Sequence, residues 1–505
     1  MKRFAAVLLG FMIMISLSGC GRMNAGPEDP DIPVASEDFV PAELLDDPIK
    51  HTAENTVIDP GIINDNANDS NDAADDPHED SETAPHSPGR NFINVYWATE
   101  ELYQIVMRYK ELHPDFPYEI RTKELSVLPD EYYPALDKLL EADNDDMPDI
   151  YCIESSYVKA YTQGDKSRYA ATYKELGLDV DNLLKKADIP QHVIDMGTNA
   201  DGEVVALGYL GTGGAFIYRR SIAKDVWGTD NPEIIKSKIG PGWDRFFKAA
   251  AELKNKGYAI VSGYNDVWYC VEGSAEKPWV IDGKLYIDPA REAFLDIAKR
   301  LYDNEYINHT IPWRDDWFAD MMDTGPKKVF GYFGPAWLIN YVIKNSCGGE
   351  KPGEGTYGDW AVCEPPAGFF WGGNWIFVNK HSPFKEDLAR LVEWITLDCS
   401  ENGFQYAWAS GTFPGNYGYL EAVPSGTVMR NVSGVMDFLG NQDMFDMLDK
   451  CARLANGRNK SPYDETINYH WLTAVRTYVE GWKTRERAIA DFKRAVENEL
   501  GIKAE

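Results

Sequence analysis

Positive charge is scarce in this 505-residue chain: 50 Lys and Arg stand against 81 Asp and Glu, a formal charge of −31. No basic stripe or arginine-rich arm reverses that field locally, which disfavours anionic headgroups and excludes nucleic acid as a partner. Cysteine is sparse as well. The seven cysteines stand singly, with no CxxC pair, so neither a zinc ribbon nor a thioredoxin-like redox site has support. Beyond Cys20, the six at Cys152, Cys270, Cys347, Cys363, Cys399 and Cys451 are compatible with three disulfides or with buried thiols, and a chain this long needs no staples. The eight histidines form no metal-spaced cluster, HExxH is missing, and no GxSxG elbow stands in a strand-turn-helix setting. No metal and no cofactor is therefore expected. Long apolar runs are missing apart from Phe4 to Ile15, which is too short for a stable membrane-spanning helix.

That one run sits between a basic start, Lys2 and Arg3, and Leu17-Ser18-Gly19-Cys20. It reads as a secretory signal. The residues around Cys20 resemble a bacterial lipobox, in which the cysteine is lipidated and the peptide is cut just before it. The implied parts are a signal peptide over 1–19 and a lipid on Cys20 that anchors the protein at the outer face of the bacterial cytoplasmic membrane. Residues 21–90 then carry 18 acidic and three basic residues, almost no aromatics, and the Asn/Asp run from Asn64 to Asp72. Such a stretch buries too little apolar surface to offset its ordering entropy, so 20–90 is expected to be a disordered, self-repelling tether. The run lacks the glycine and distal glutamate of an EF-hand, which argues against a calcium loop.

Order is expected from Phe92. Phe92 to Trp97 alternates like a strand, and Glu100 to Leu112 has helical periodicity ended by His113-Pro114. Tyr118 to Thr122, a helix near Tyr132 to Ala142, and Met147 to Ile153 continue a β-α-β-α-β rhythm, the signature of a largely parallel sheet flanked by helices. In such sheets ligands gather at the carboxyl ends of strands, where Trp97 to Glu100 and Glu154 to Ser156 stand. Ala206 to Tyr209 and Ala215 to Tyr218 are two strands joined through Gly211-Thr212-Gly213-Gly214; no helix opens after these glycines, so a dinucleotide loop is not indicated. Helices are expected over Trp243 to Lys256, Arg291 to Tyr302 and Leu338 to Lys344. A short strand at Ala259 to Val261, a strand at Val329 to Phe333, two strands between Asp359 and Val378, and a final helix pair over Ile467 to Gly481 and Thr484 to Leu500 complete the pattern.

Taken in order, several of these landmarks resemble the extracellular solute-binding proteins of ABC importers, family 1, to which maltose-binding protein belongs. The carriers are the opening strand and helix ending at His113-Pro114, Pro148-Asp149-Ile150, Gly202 to Leu207 running into Phe216 to Arg220, Trp243-Asp244, Gly334-Pro335-Ala336-Trp337, Trp371-Gly372-Gly373-Asn374-Trp375, and Ala474 to Thr477. The resemblance implies an α/β, periplasmic-binding-protein-like fold with two hinged lobes and an interlobe ligand cleft. It puts lobe 1 at 91–209 plus 366–412 and lobe 2 at 210–365 plus 413–505, with crossings near Tyr209 to Gly214, Pro365 to Phe370 and Pro414 to Gly418. It further implies a monomer without catalytic residues that binds a carbohydrate, of oligosaccharide size, and hands it to permease subunits. Aromatic planes suit the C–H faces of a pyranose, and carboxylates and amides suit its hydroxyl rim; the chain's 15 Trp, 28 Tyr and 21 Phe agree with such a cleft. The implied ligand contacts are Trp97, Glu100, Glu154, Ser155, Asn265, Asp266, Trp268, Trp337, Trp371, Gly372, Gly373, Asn374 and Trp471, with stacking expected at Trp97, Trp268, Trp337 and Trp371. Each tryptophan has a plain competing role in the core, and Glu154 and Asp266 have one as structural carboxylates at helix N-termini.

Two other classes share these features. A glycosidase would need two carboxyl groups placed across one bond, and Glu154 with Asp266, on opposite lobes, is the pair to test. A lipid-anchored sensor or adhesin would reuse the cleft to report on a sugar rather than deliver it. Turnover of bound oligosaccharide separates the first, and co-purification with permease subunits the second.

Overall fold

The computed structural model describes residues 90–504 apart from 98–100, 123, 124, 126, 127, 143, 416 and 417. The signal peptide, Cys20 and the tether, except for Arg90, thus lie outside the described residues.

Two sheets organise the chain. The first is built from β1 (Phe92–Tyr96), β2 (Glu119–Arg121), β3 (Ile150–Glu154) and β4 (Ala206–Gly208), and the second begins with β5 (Ala215–Arg219). A small hairpin follows, β6 (Val280–Ile281) with β7 (Lys284–Leu285), before β8 (Gly331–Gly334) and β9 (Trp360–Cys363) complete the second sheet; β10 (Asn374–Val378) returns to the first. The first sheet has the order β2-β1-β3-β10-β4. β1 runs parallel to β2 and β3, as the βαβ rhythm requires, whereas β10 is antiparallel to both neighbours, pairing Asn374 with Glu154 and Trp375 with Gly208. The second sheet, β8-β5-β9, is antiparallel throughout. Parallel order therefore belongs to one sheet only. The strand expected at Ala259 to Val261 is reduced to a single parallel bridge from Ala259 to Val329.

β5 shows how the second sheet divides the interior. Its side chains alternate, so Ala215 and Ile217 join the core that contains Ile93, Val95, Ile150 and Ile376, while Phe216 and Tyr218 join a second core with Phe246, Trp279, Phe330 and Trp471. β9 splits the same way, Trp360 and Val362 to one side and Ala361 and Cys363 to the other. Trp371 is half-buried and packs against both cores.

Helix ends follow local chemistry. Asp288 caps the helix Pro289–Asp303 by accepting from Ala290 N–H at 2.9 Å, with proline at the first position where its missing N–H costs nothing. Thr484 caps the last helix, Arg485–Leu500, which ends on Gly501 in a left-handed conformation. Leu338–Ile343 winds as a π-helix rather than an α-helix, a form that recurs at functional sites. Asp149 is fully buried and accepts from Arg90, from Asn94 N–H at 2.8 Å and from Ser382 Oγ at 2.6 Å, so it ties β1 to the start of β3. Among the described residues no two of the six cysteines are joined, and five of the six are buried. No helix of the described residues is long and apolar enough to cross a membrane.

The chain leaves the first sheet at 209–214 and returns at 364–373. These passages run side by side: Gly214 N–H donates to Phe369 O at 2.9 Å and Trp371 N–H to Thr212 O at 3.0 Å. A Cβ on Gly214 would sit 2.1 Å from the Phe369 ring, and one on Gly213 2.5 Å from Ala452 Cα. Gly214 thus lets the two passages pack closely, and Gly213 lets the first pack against the helix that carries Ala452. The third passage, expected near Pro414 to Gly418, falls partly on undescribed residues, as does Asn416.

Candidate functional site

A cavity of about 500 Å³ opens where these passages meet the carboxyl end of β3, within the range of small-molecule sites. Ten of the thirteen contact residues expected from the sequence line it: Glu154, Ser155, Asn265, Asp266, Trp268, Trp337, Trp371, Gly372, Gly373 and Asn374.

Each is set by a definite element. Glu154 ends β3 and caps the helix Ser155–Thr162, accepting from Ser155 Oγ at 2.7 Å and Ser156 N–H at 2.8 Å. Burial raises its pKa and these bonds oppose the rise. Ser155 N–H in turn donates to Gly373 O at 2.9 Å. Gly373 has φ 96°, and a Cβ there would meet Thr212 Cγ2 at 2.6 Å, so only glycine lets this loop approach so closely. Asn374 Nδ2 donates to the Tyr209 hydroxyl at 3.4 Å, which donates to Glu101 Oε2 at 2.7 Å.

The aromatic wall is mutually braced. Trp337 Nε1 donates to Trp371 O at 3.1 Å, and their rings meet edge to face at 4.7 Å. Tyr269 stacks on Trp371 at 4.5 Å. Trp313 lies nearly parallel to Trp337 at 6.3 Å, on a backbone with φ 72°; a bulky residue in that region is held there at a cost by its surroundings.

Facing this wall are buried carboxyl groups. Asp266 accepts from Gly263 N–H at 2.6 Å and Trp317 Nε1 at 2.8 Å, and burial lifts its pKa to about 7. Burial lifts Glu421, hydrogen-bonded by Asn340, to about 8, and burial with the nearby Glu154 lifts Glu465 to about 8. Against burial, the Lys460 ammonium at 2.6 Å holds Glu272 below its usual range. Near neutral pH the cavity therefore offers carboxyl O–H donors as well as carboxylate acceptors. Asn265 Oδ1 is buried without a hydrogen-bond partner.

Of the remaining three expected residues, two do not line the cavity. Glu100 lies outside the described residues. Trp97 stacks on Tyr103 at 5.2 Å and does not reach the cavity. Trp471 is fully buried against Trp279 and Phe492. Its position in the helix Asp464–Val479 explains this: Ile467, Trp471, Ala474, Val475 and Val479 form the core stripe. The cavity instead receives the other phase of the helix, Glu465, Asn468, Tyr469, Leu472, Thr473 and Arg476, which was not expected from the sequence. Also unexpected were Tyr269, Trp313 and Glu421; the polar stripe three and four residues apart from Glu465 to Arg476 was the available signal for the helix face.

The sequence model of the bacterial extracellular solute-binding proteins matches residues 105–428. The chain belongs to this family. No curated protein matches it. Among solved structures this solute-binding protein is similar to an extracellular solute-binding protein of family 1, with TM-score 0.66 and 18% identity over 80% of this chain and 98% of that one. It is similar also to the galacto-N-biose/lacto-N-biose I-binding protein of an ABC transporter from Bifidobacterium longum, in complex with lacto-N-biose, with TM-score 0.60 and 15% identity over 82% and 99% of the two chains. A third is the sugar-binding protein MalE of Xanthomonas citri, with TM-score 0.58 and 13% identity over 81% and 97%. At these identities the likeness concerns the fold, which is the two-lobed α/β architecture of periplasmic binding proteins.

Proposed function

We propose that this solute-binding protein captures a carbohydrate of oligosaccharide size in the cavity between its lobes and delivers it to the permease of an ABC importer. The observation that carries this reading is the braced aromatic wall of Trp313, Trp337, Trp371 and Tyr269, which lines one cavity together with buried Asp266 and Glu154 and with Asn265. Aromatic faces bind the C–H faces of a sugar ring, and the carboxyl and amide groups pair with its hydroxyls, each of which would be costly to bury unpaired. Several solved relatives by fold carry sugars, among them the Bifidobacterium longum protein with lacto-N-biose and a Listeria monocytogenes protein with cycloalternan.

In this reading lobe 1 is 91–209 plus 366–412 and lobe 2 is 210–365 plus 413–505, hinged at the paired passages. Sugar touches groups of both lobes and so favours the closed form. Glu154, Ser155, Asn265, Asp266, Trp268, Trp337, Trp371, Gly372, Gly373 and Asn374 are the ligand contacts. Lipidation of Cys20 holds the protein outside the cytoplasmic membrane, and the acidic segment lets a monomer reach the permease. No bond of the ligand is broken.

The test is tryptophan fluorescence titrated with oligosaccharides, followed by chromatography of the recovered sugar and by pull-down of permease subunits from the host membrane. Saturable quenching with intact sugar and captured permease is expected. Shortened sugar would indicate an enzyme, and intact sugar without permease a sensor.

A further inference from the structure

The helix that carries Trp471 inward carries a different face along the cavity. Glu465, Asn468, Tyr469, Leu472, Thr473 and Arg476 all line it, and eleven steps of 1.5 Å make this face about 16 Å long. The wall continues past the helix end. Gly481, at φ 79°, turns the chain, and Trp482 N–H donates to Thr477 O at 2.9 Å, which fixes Trp482 on the cavity lip. Trp482 is 63% exposed, more than any other large hydrophobic side chain among the described residues. The Arg476 guanidinium lies 5.4 Å from its ring centroid and is itself held by Glu480 at 3.0 Å. Ile311 and Tyr469, also exposed, share the lip.

A single exposed tryptophan needs no explanation. Three exposed apolar side chains gathered on the mouth of one cavity, at the end of a polar helix face that leads into it, do. We infer that Trp482 is an outer stacking platform for a linear oligosaccharide that lies along the Glu465-to-Arg476 face, so that the ligand spans several rings and is not a mono- or disaccharide. This rests on the saccharide reading above. Arg476 braces the indole from one side, in the way a cation–π contact fixes a ring, and the exposed remainder is available to a sugar face.

The experiment titrates the full chain, and its Trp482→Ala and Trp482→Phe variants, by calorimetry with ladders of two to six units of malto-, cello- and β-galacto-oligosaccharides. In the ladder that binds, affinity should rise with length, and Trp482→Ala should remove about tenfold from the longest members only, the size of one aromatic contact; Trp482→Phe should restore most of it. Affinity independent of length, or an equal loss at every length, overturns the outer platform and leaves the saccharide reading standing. Unchanged affinities with lost uptake also overturn it and mark Trp482 as a permease contact. Binding to no ladder overturns both readings.

Discussion

At the scale of single residues, two tryptophans of similar appearance in sequence have opposite situations. Trp371 is half-buried in the cavity wall, whereas Trp471 is enclosed. Trp371→Ala should therefore weaken sugar binding by about 1–2 kcal/mol while the fold survives. Trp471→Ala should cost about 3–5 kcal/mol of stability through a core cavity. Chemical denaturation and calorimetry on both variants separate the two effects; a stable Trp471→Ala protein with lost binding would reverse the assignment. The buried acids make a second prediction. Asp266 keeps its proton up to about 7 in the folded chain, and Glu421 and Glu465 up to about 8, whereas unfolded they lose it near pH ~4. Between those limits the folded state binds more protons than the unfolded, so stability falls as pH rises. The melting temperature should be higher at pH 5 than at pH 8, and Glu421→Gln, which keeps an acceptor for Asn340, should flatten that slope; a rising slope contradicts the burial of these groups. Ten of the thirteen residues expected from the sequence line the cavity, because ordered motifs mark strand ends and their loops. Trp471 does not, since a one-residue change of helical phase decides between core and cavity, and neighbouring Leu472 is as apolar.

At the scale of elements, the loop between β9 and β10 does the positioning. Gly372 and Gly373, at φ 71° and 96°, bring backbone against Trp337 and Thr212, and Gly373 O receives Ser155 N–H. Gly373→Ala should cost about 1–3 kcal/mol and shift Asn374 and Trp371 together, lowering affinity; a thermal melt and a titration check both, and a variant with native stability would argue that the loop has another conformation. The parallel β1, β2 and β3 were legible because each is a strand followed by a helical stretch. The antiparallel course of β10 was not: its alternation is the same in either direction, and direction is decided by the long return through the second sheet. The π-helix at Leu338–Ile343 likewise leaves no trace in periodicity over so short a span.

At the scale of the whole molecule, the two paired passages join two sheets at one cavity, and glycines at 213 and 214 leave room for Ala452 and the Phe369 ring. The acidic segment 21–90 and the folded remainder have separate tasks in the proposed function. Cys20→Ala should abolish incorporation of labelled fatty acid while leaving sugar affinity as it was; label retained by the variant would contradict lipidation of that residue. The most direct test of the central claim is a thermal-shift screen of the full chain against oligosaccharides, monosaccharides, amino acids and short peptides, because a ligand that binds only the folded state must raise its apparent stability. A rise with one oligosaccharide series alone is the result expected. A rise with peptides or amino acids instead, or with no saccharide at all, would contradict a carbohydrate receptor.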